Sequence, residues 1–98
     1  MNISAGVDLD VEMLALGRLG WPGLKIILLL RERGQLHVRA LIREARVGYA
    51  ATYRALRELE ELGLVREERV RRERVLTLTE RGRELADHIL AAERLIAR

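Results

Sequence analysis

Cysteine is absent from the 98 residues. That excludes disulfides, a thiol nucleophile and cysteine-based zinc sites. Phenylalanine is absent too, and aromatic residues make up only 3% of the chain, so the core has to be aliphatic. Ser4 is the only serine; no base accompanies it, and no glycine-rich phosphate loop is present. The two histidines, His37 and His88, fall on different elements and read as structural or exposed rather than as metal ligands. Acidic residues interleave with arginines in the manner of surface ion pairs. These absences argue against an enzyme, and they assign no cofactor and no metal; a small-molecule effector is left open. The longest uninterrupted apolar run is Ile26 to Leu30, far short of the roughly 20 residues that span a bilayer, so no membrane association is expected. Asp8, Asp10 and Glu12 stand where a secretory signal would be basic. Together with the missing cysteines, this sets the expectation of a cytoplasmic protein.

What is present is arginine on an aliphatic framework. Hydrophobic residues make up 49% of the chain and are patterned, as expected for one folded domain over residues 1–98. The net charge is +3. The isoelectric point is about 10.2 because 17 of the 18 basic residues are arginine. Such a modest excess says little by itself; where the arginines stand says more.

The most informative stretch is Val47 to Gly63. On a helical wheel Thr52, Ala55, Leu56, Leu59 and Leu62 share one side, a stripe that has to be buried. Ala50, Tyr53, Arg54 and Arg57 lie opposite, with Tyr49 at the border, and Gly63 suits the C-cap. An amphipathic helix that turns arginines and tyrosines outward is suited to a groove of nucleic acid, where arginine pairs with phosphate or guanine and tyrosine donates to phosphate.

Before this stretch, Asp8 or Asp10 caps an expected first helix that runs to about Leu19. Gly20-Trp21-Pro22-Gly23 then breaks the chain, with Pro22 in the first turn of the next helix and Trp21 folding back on it as an anchor. Leu24 to Arg33 is apolar on most sides and belongs at the centre of the core. Gln35 to His37 is a very short strand. Val38 to Ala45 is a helix with Ala40, Leu41 and Ile42 inward and Arg39 and Arg43 outward. After Gly63, Leu64 to Arg69 and Arg74 to Thr79 read as antiparallel strands, Leu76 and Leu78 alternating with Val75 and Thr77. Their tip is Val70-Arg71-Arg72-Glu73. Thr79 caps a last helix from Glu80 to about Ala97, whose seam of Leu85, Ile89, Ala92 and Ile96 has coiled-coil spacing.

The fold class is therefore mainly α with a small antiparallel β-hairpin (α+β). Leu41-Ile42-Arg43-Glu44-Ala45, the run from Tyr49 to Val65 and Leu76-Thr77-Leu78-Thr79-Glu80-Arg81-Gly82 together resemble the winged helix-turn-helix domain of MarR-like and PadR-like transcriptional regulators. The resemblance covers roughly Leu24 to Ala86. It implies an N-terminal helix and break (1–23), a DNA-binding core with a wing (24–79) and a C-terminal helix for dimerisation (80–98). Two positions depart from the pattern: Arg46 replaces a frequent glycine, and Gly48 replaces a frequent Ser or Thr cap.

The function these readings imply is sequence-specific binding of double-stranded DNA by a small transcriptional regulator. Tyr49, Ala50, Tyr53, Arg54 and Arg57 are the candidates for the major groove. Arg69, Arg71, Arg72 and Arg74 of the wing are candidates for backbone or minor groove, and Arg39 and Arg43 for a flanking phosphate. A homodimer through Leu85, Ile89, Ala92 and Ile96 is expected. The alternatives are a winged-helix protein-interaction module, since Glu58, Glu60 and Glu61 sit badly near phosphate, and a non-specific chromosomal DNA-binding protein.

Overall fold

The computed structural model describes residue 10 and residues 14–97. Most of the expected first helix lies outside the described residues; its last part, Ala15–Arg18, is a single 3₁₀ turn. Four helices and three strands follow: α1 (Gly20–Arg33), β1 (Gln35–His37), α2 (Val38–Ala45), α3 (Tyr49–Glu61), β2 (Val65–Val70), β3 (Glu73–Leu78) and α4 (Glu80–Ile96).

Helix α1 begins four residues earlier than the sequence suggests. Gly20 to Gly23 is its first turn, not a break. Pro22 is tolerated there because the N–H groups of a first turn have no partner within the helix. Trp21 does not fold back as an anchor. It stands 73% exposed, on the outer side of a turn whose inner side is Gly23, which lies against Leu19 and Leu59. Ile26, Ile27 and Leu30 are sealed from solvent, which makes α1 the central helix. Arg33 at its end donates twice to Glu44, at 2.8 and 3.0 Å, and so ties α1 to α2. On α2 the buried residues are Val38, Leu41 and Ala45; Ala40 and Ile42 are only half-buried.

The sheet runs in the order β1-β3-β2, all antiparallel. Because β3 is the middle strand, Val75 has His37 on one side and Glu68 on the other. It is buried along with Leu76 and Leu78, so the expected alternation of inward leucines and outward Val75 does not hold. The core that results is aliphatic, built from leucine, isoleucine and valine of α1, α2, α3 and the three strands together with Ala55, while α4 adds Ala86 and packs Leu85 and Ile89 half-buried against it.

Two connections set the position of α3. Helix α3 ends in a Schellman motif: the Leu64 N–H donates to the Leu59 carbonyl (2.9 Å) and the Gly63 N–H to the Glu60 carbonyl (3.0 Å). Thr79 then locks this corner to α4. Its N–H donates to the Leu64 carbonyl (3.0 Å) and its hydroxyl to the Gly63 carbonyl (2.6 Å). The same hydroxyl accepts from the Gly82 N–H at 3.1 Å, the expected cap of α4. A Cβ on Gly82 would sit 2.0 Å from the Leu64 carbonyl oxygen, so only glycine lets α4 lie this close to the chain leaving α3.

Candidate nucleic-acid interface

The start of α3 is shaped by backbone rather than by a capping side chain. Gly48 has φ 93° and ψ 155°, a region open to essentially no residue but glycine. A Ser or Thr cap is excluded there on conformational grounds. The Thr52 hydroxyl donates to the Gly48 carbonyl at 2.7 Å, which ties the first turn to its start but leaves its N–H donors without a side-chain cap. Just upstream, Arg46 closes α2 in the left-handed region with φ 55°, the conformation for which glycine would be the ordinary choice.

The wheel drawn from sequence matches the faces of α3. Thr52, Ala55, Leu56 and Leu59 are buried, and Leu62 is half-buried. Ala50, Arg54 and Arg57 are exposed, as is Tyr49, with 68% of its surface open to solvent. Tyr53 is half-buried, its ring centroid 4.9 Å from that of Tyr49. Arg39 and Arg43 are exposed on α2, and Arg69, Arg71 and Arg72 on the hairpin.

Between α2, Tyr53 and the hairpin lies a groove of about 470 Å³ lined by Arg39, Arg43, Arg69, Arg72 and Arg74. The fold thus brings two separate stretches of sequence-nominated arginines, on α2 and the hairpin, onto one concavity beside Tyr53 of α3. Arg54 lines a second depression on the α1 side of α3 with Arg18 and Pro22. Among the described residues, Arg39, Arg43, Arg54, Arg57, Arg71 and Arg72 take part in no ion pair, whereas Arg18, Arg31 and Arg33 each meet a carboxylate. Guanidinium groups left without counter-ions carry an uncompensated charge at any working pH.

The acidic half of α3 is largely offset by neighbours. Arg18 donates to Glu58 and lies 3.8 Å from Glu61. Arg74, unlike the other nominated arginines, is held in an ion pair. It grips Glu67 of β2 with two hydrogen bonds, 2.7 and 3.0 Å, and lies 5.6 Å from the Tyr53 ring centroid. That hydrogen bonding holds the Glu67 carboxyl below its usual range and raises the Arg74 guanidinium. Partial burial, and after it Glu67, lift the Glu60 carboxyl.

Two residues in the groove had no assigned role. His37 Nδ1 lies 2.5 Å from Glu73 Oε2, and both line the groove. Only the β1–β3 register reveals this pair; nothing in the local sequence around His37 does. Elsewhere, among the described residues no cluster of three or more histidines and carboxylates could hold a metal ion. No described helix is long and apolar enough to cross a membrane.

The tip of the hairpin is conformationally unusual. Arg71 and Arg72 are its two loop residues, and both have positive φ, 50° and 75°. Two-residue hairpin loops ask for this, and Asn-Gly usually supplies it.

No protein-family model and no curated protein matches the chain. Solved structures do. The chain is similar to the apo form of a Lactococcus lactis ZitR mutant, with a TM-score of 0.71 and 23% identity over 84% of this chain. The match spans 64% of the ZitR chain, less than two thirds of its length. It is also similar to NadR in complex with 4-hydroxyphenylacetate, with a TM-score of 0.70 and 23% identity over 99% of this chain and 82% of that one. At this identity the likeness concerns the fold. The fold is a winged helix-turn-helix domain, with α3 in the place of the recognition helix and the β2–β3 hairpin as the wing.

Proposed function

We propose that the protein is a non-catalytic, sequence-specific binder of double-stranded DNA, a small transcriptional regulator of the MarR-like kind. In this reading α3 enters the major groove with Tyr49, Ala50, Tyr53, Arg54 and Arg57. Arg69, Arg71 and Arg72 of the wing meet backbone or minor groove, and Arg39 and Arg43 hold a flanking phosphate. One observation supports the reading: arginines without counter-ions stand exposed on α2, α3 and the wing, and those of α2 and the wing line one groove. A polyanion supplies what those groups lack. The reading puts the protein in the cytoplasm, with the chromosome.

A lone winged helix covers a short site, and the reading includes a homodimer through α4. Leu85 and Ile89 of the expected seam are half-buried against their own core, whereas Ala92, Leu95 and Ile96 are exposed, the last two by 66% and 81%. The outer end of α4 is therefore the part available to a second copy. Two reading helices would then stand about 34 Å apart, one turn of DNA.

Selection of bound sites from random duplexes at fixed salt tests the function. A palindromic consensus is the expected result. Binding without a consensus favours a non-specific chromosomal protein, and no binding at low salt removes the DNA reading in favour of an interaction module. Light scattering that gives a monomer at high micromolar concentration removes the dimer.

A further inference from the structure

Arg74 stands among the arginines of the groove, yet its side chain is directed to other work. The β2–β3 register places Arg74 opposite Arg69 and Glu67 opposite Leu76. Glu67, Arg69, Arg74 and the sealed Leu76 therefore share the hairpin face that turns toward the helices. On that face one guanidinium meets two partners. Its Nη2 and Nε donate to the two oxygens of Glu67 on β2, a forked geometry that lysine cannot reproduce. Its plane approaches the ring of Tyr53 on α3. The same charge acts on Glu60, farther along α3, against the effect of Glu67. A phosphate would have to compete with a charge-assisted fork for these donors and would meet the Glu67 carboxylate beside them.

We infer that Arg74 is a positioning residue rather than a phosphate ligand: with Glu67 and Tyr53 it braces the wing against the recognition helix and fixes the angle between them. The inference rests on the DNA-binding reading and adds to it. A fixed angle means that groove contacts and wing contacts are made together only on DNA whose local shape brings both within reach. The brace thus contributes to discrimination between sequences and not to bulk attraction.

Contact and brace differ in what salt does. Each phosphate contact contributes about 0.9 to the slope of log affinity against log salt; a brace contributes nothing. The experiment compares the selected duplex with a scrambled one across a salt series. The proteins are wild type, R74Q, E67Q, the reversed pair E67R/R74E and, as a contact control, R72Q. Thermal midpoints confirm folding, and E67Q carries the test if R74Q fails to fold. R74Q and E67Q are expected to lower the ratio of specific to scrambled affinity about tenfold, a loss of the size one mismatched base pair brings. Their salt slopes stay at the wild-type value. The reversed pair can restore a fork within the hairpin but takes the guanidinium away from Tyr53, so it recovers none of the lost ratio, while R72Q weakens both duplexes and flattens the slope. A slope flattened by about 0.9 in R74Q, or tighter binding of both duplexes by E67Q, overturns the inference and leaves DNA binding intact. Wild-type protein that binds neither duplex overturns the DNA reading itself.

Discussion

Replacing Arg71-Arg72 by Asn-Gly separates what the hairpin tip costs the fold from what it contributes to binding. Both arginines hold left-handed backbone, with φ 50° and 75°. For a residue with a Cβ that conformation costs roughly 1–2 kcal/mol, and Asn-Gly is the pair that tolerates it best. The R71N/R72G variant should therefore gain about 1–3 kcal/mol of stability. In a domain of this size that corresponds to a rise in Tm of roughly 5–15 °C. Its affinity for duplex DNA should move the opposite way. Neither arginine is in an ion pair among the described residues, so removing both should flatten the salt slope by roughly 1–2 units, at about 0.9 per phosphate. Circular dichroism melts and anisotropy titrations across salt measure the two effects independently. R71Q/R72Q is the control, because it removes the charge and keeps the strained backbone. It should lose the same slope with little gain in Tm. If R71N/R72G melts no higher than wild type, the strain argument is wrong. If it melts higher but binds with an unchanged slope, Arg71 and Arg72 do not touch phosphate.

Two further outcomes follow from single positions. Gly48→Ser looks like an improved helix cap from sequence, but at φ 93° and ψ 155° it should destabilise by about 1–3 kcal/mol, read as a lower midpoint in urea. Glu60 is an acid whose folded pKa is raised, by partial burial first and Glu67 second. Its ionisation is therefore harder in the folded than in the unfolded chain, a penalty present above the folded pKa and gone below the unfolded value near 4.3. Glu60→Gln should raise Tm slightly at pH 7, within the roughly 0.5 kcal/mol of a surface change, and the gain should vanish as pH falls below about 4. A gain that persists at low pH would point to packing rather than charge.

Helices α2 to α4 were legible because burial imposes a period, and the hairpin strands because that period stops at Gly63 and valine and threonine follow it. The inward stripe of Thr52, Ala55, Leu56 and Leu59 follows from the geometry of a helix on a core, and it fixes which side chains point outward. Interactions between elements were not legible in the same way. Glu67 and Arg74 are seven positions apart, and nothing local says that their side chains meet; the cross-strand register does. The same holds for His37 and Glu73. Val75 looked outward because the order β1-β3-β2, which gives it a neighbour on each side, is a property of the whole sheet. Gly20 to Gly23 looked like a break because glycine and proline usually interrupt helices, while the first turn is the one place where they do not. The Arg71-Arg72 loop carried no turn signal at all, since neither residue is one that such loops favour.

The corner at Thr79 has a bearing on motion. A single hydroxyl bonded to both Gly63 and Gly82, with the Leu64 carbonyl pressed against Gly82, leaves no slack between the end of one helix and the start of another. The last turn of α3 and the first turn of α4 are therefore held as one rigid corner, and any change in the direction in which α4 sets out would have to move the end of α3 with it.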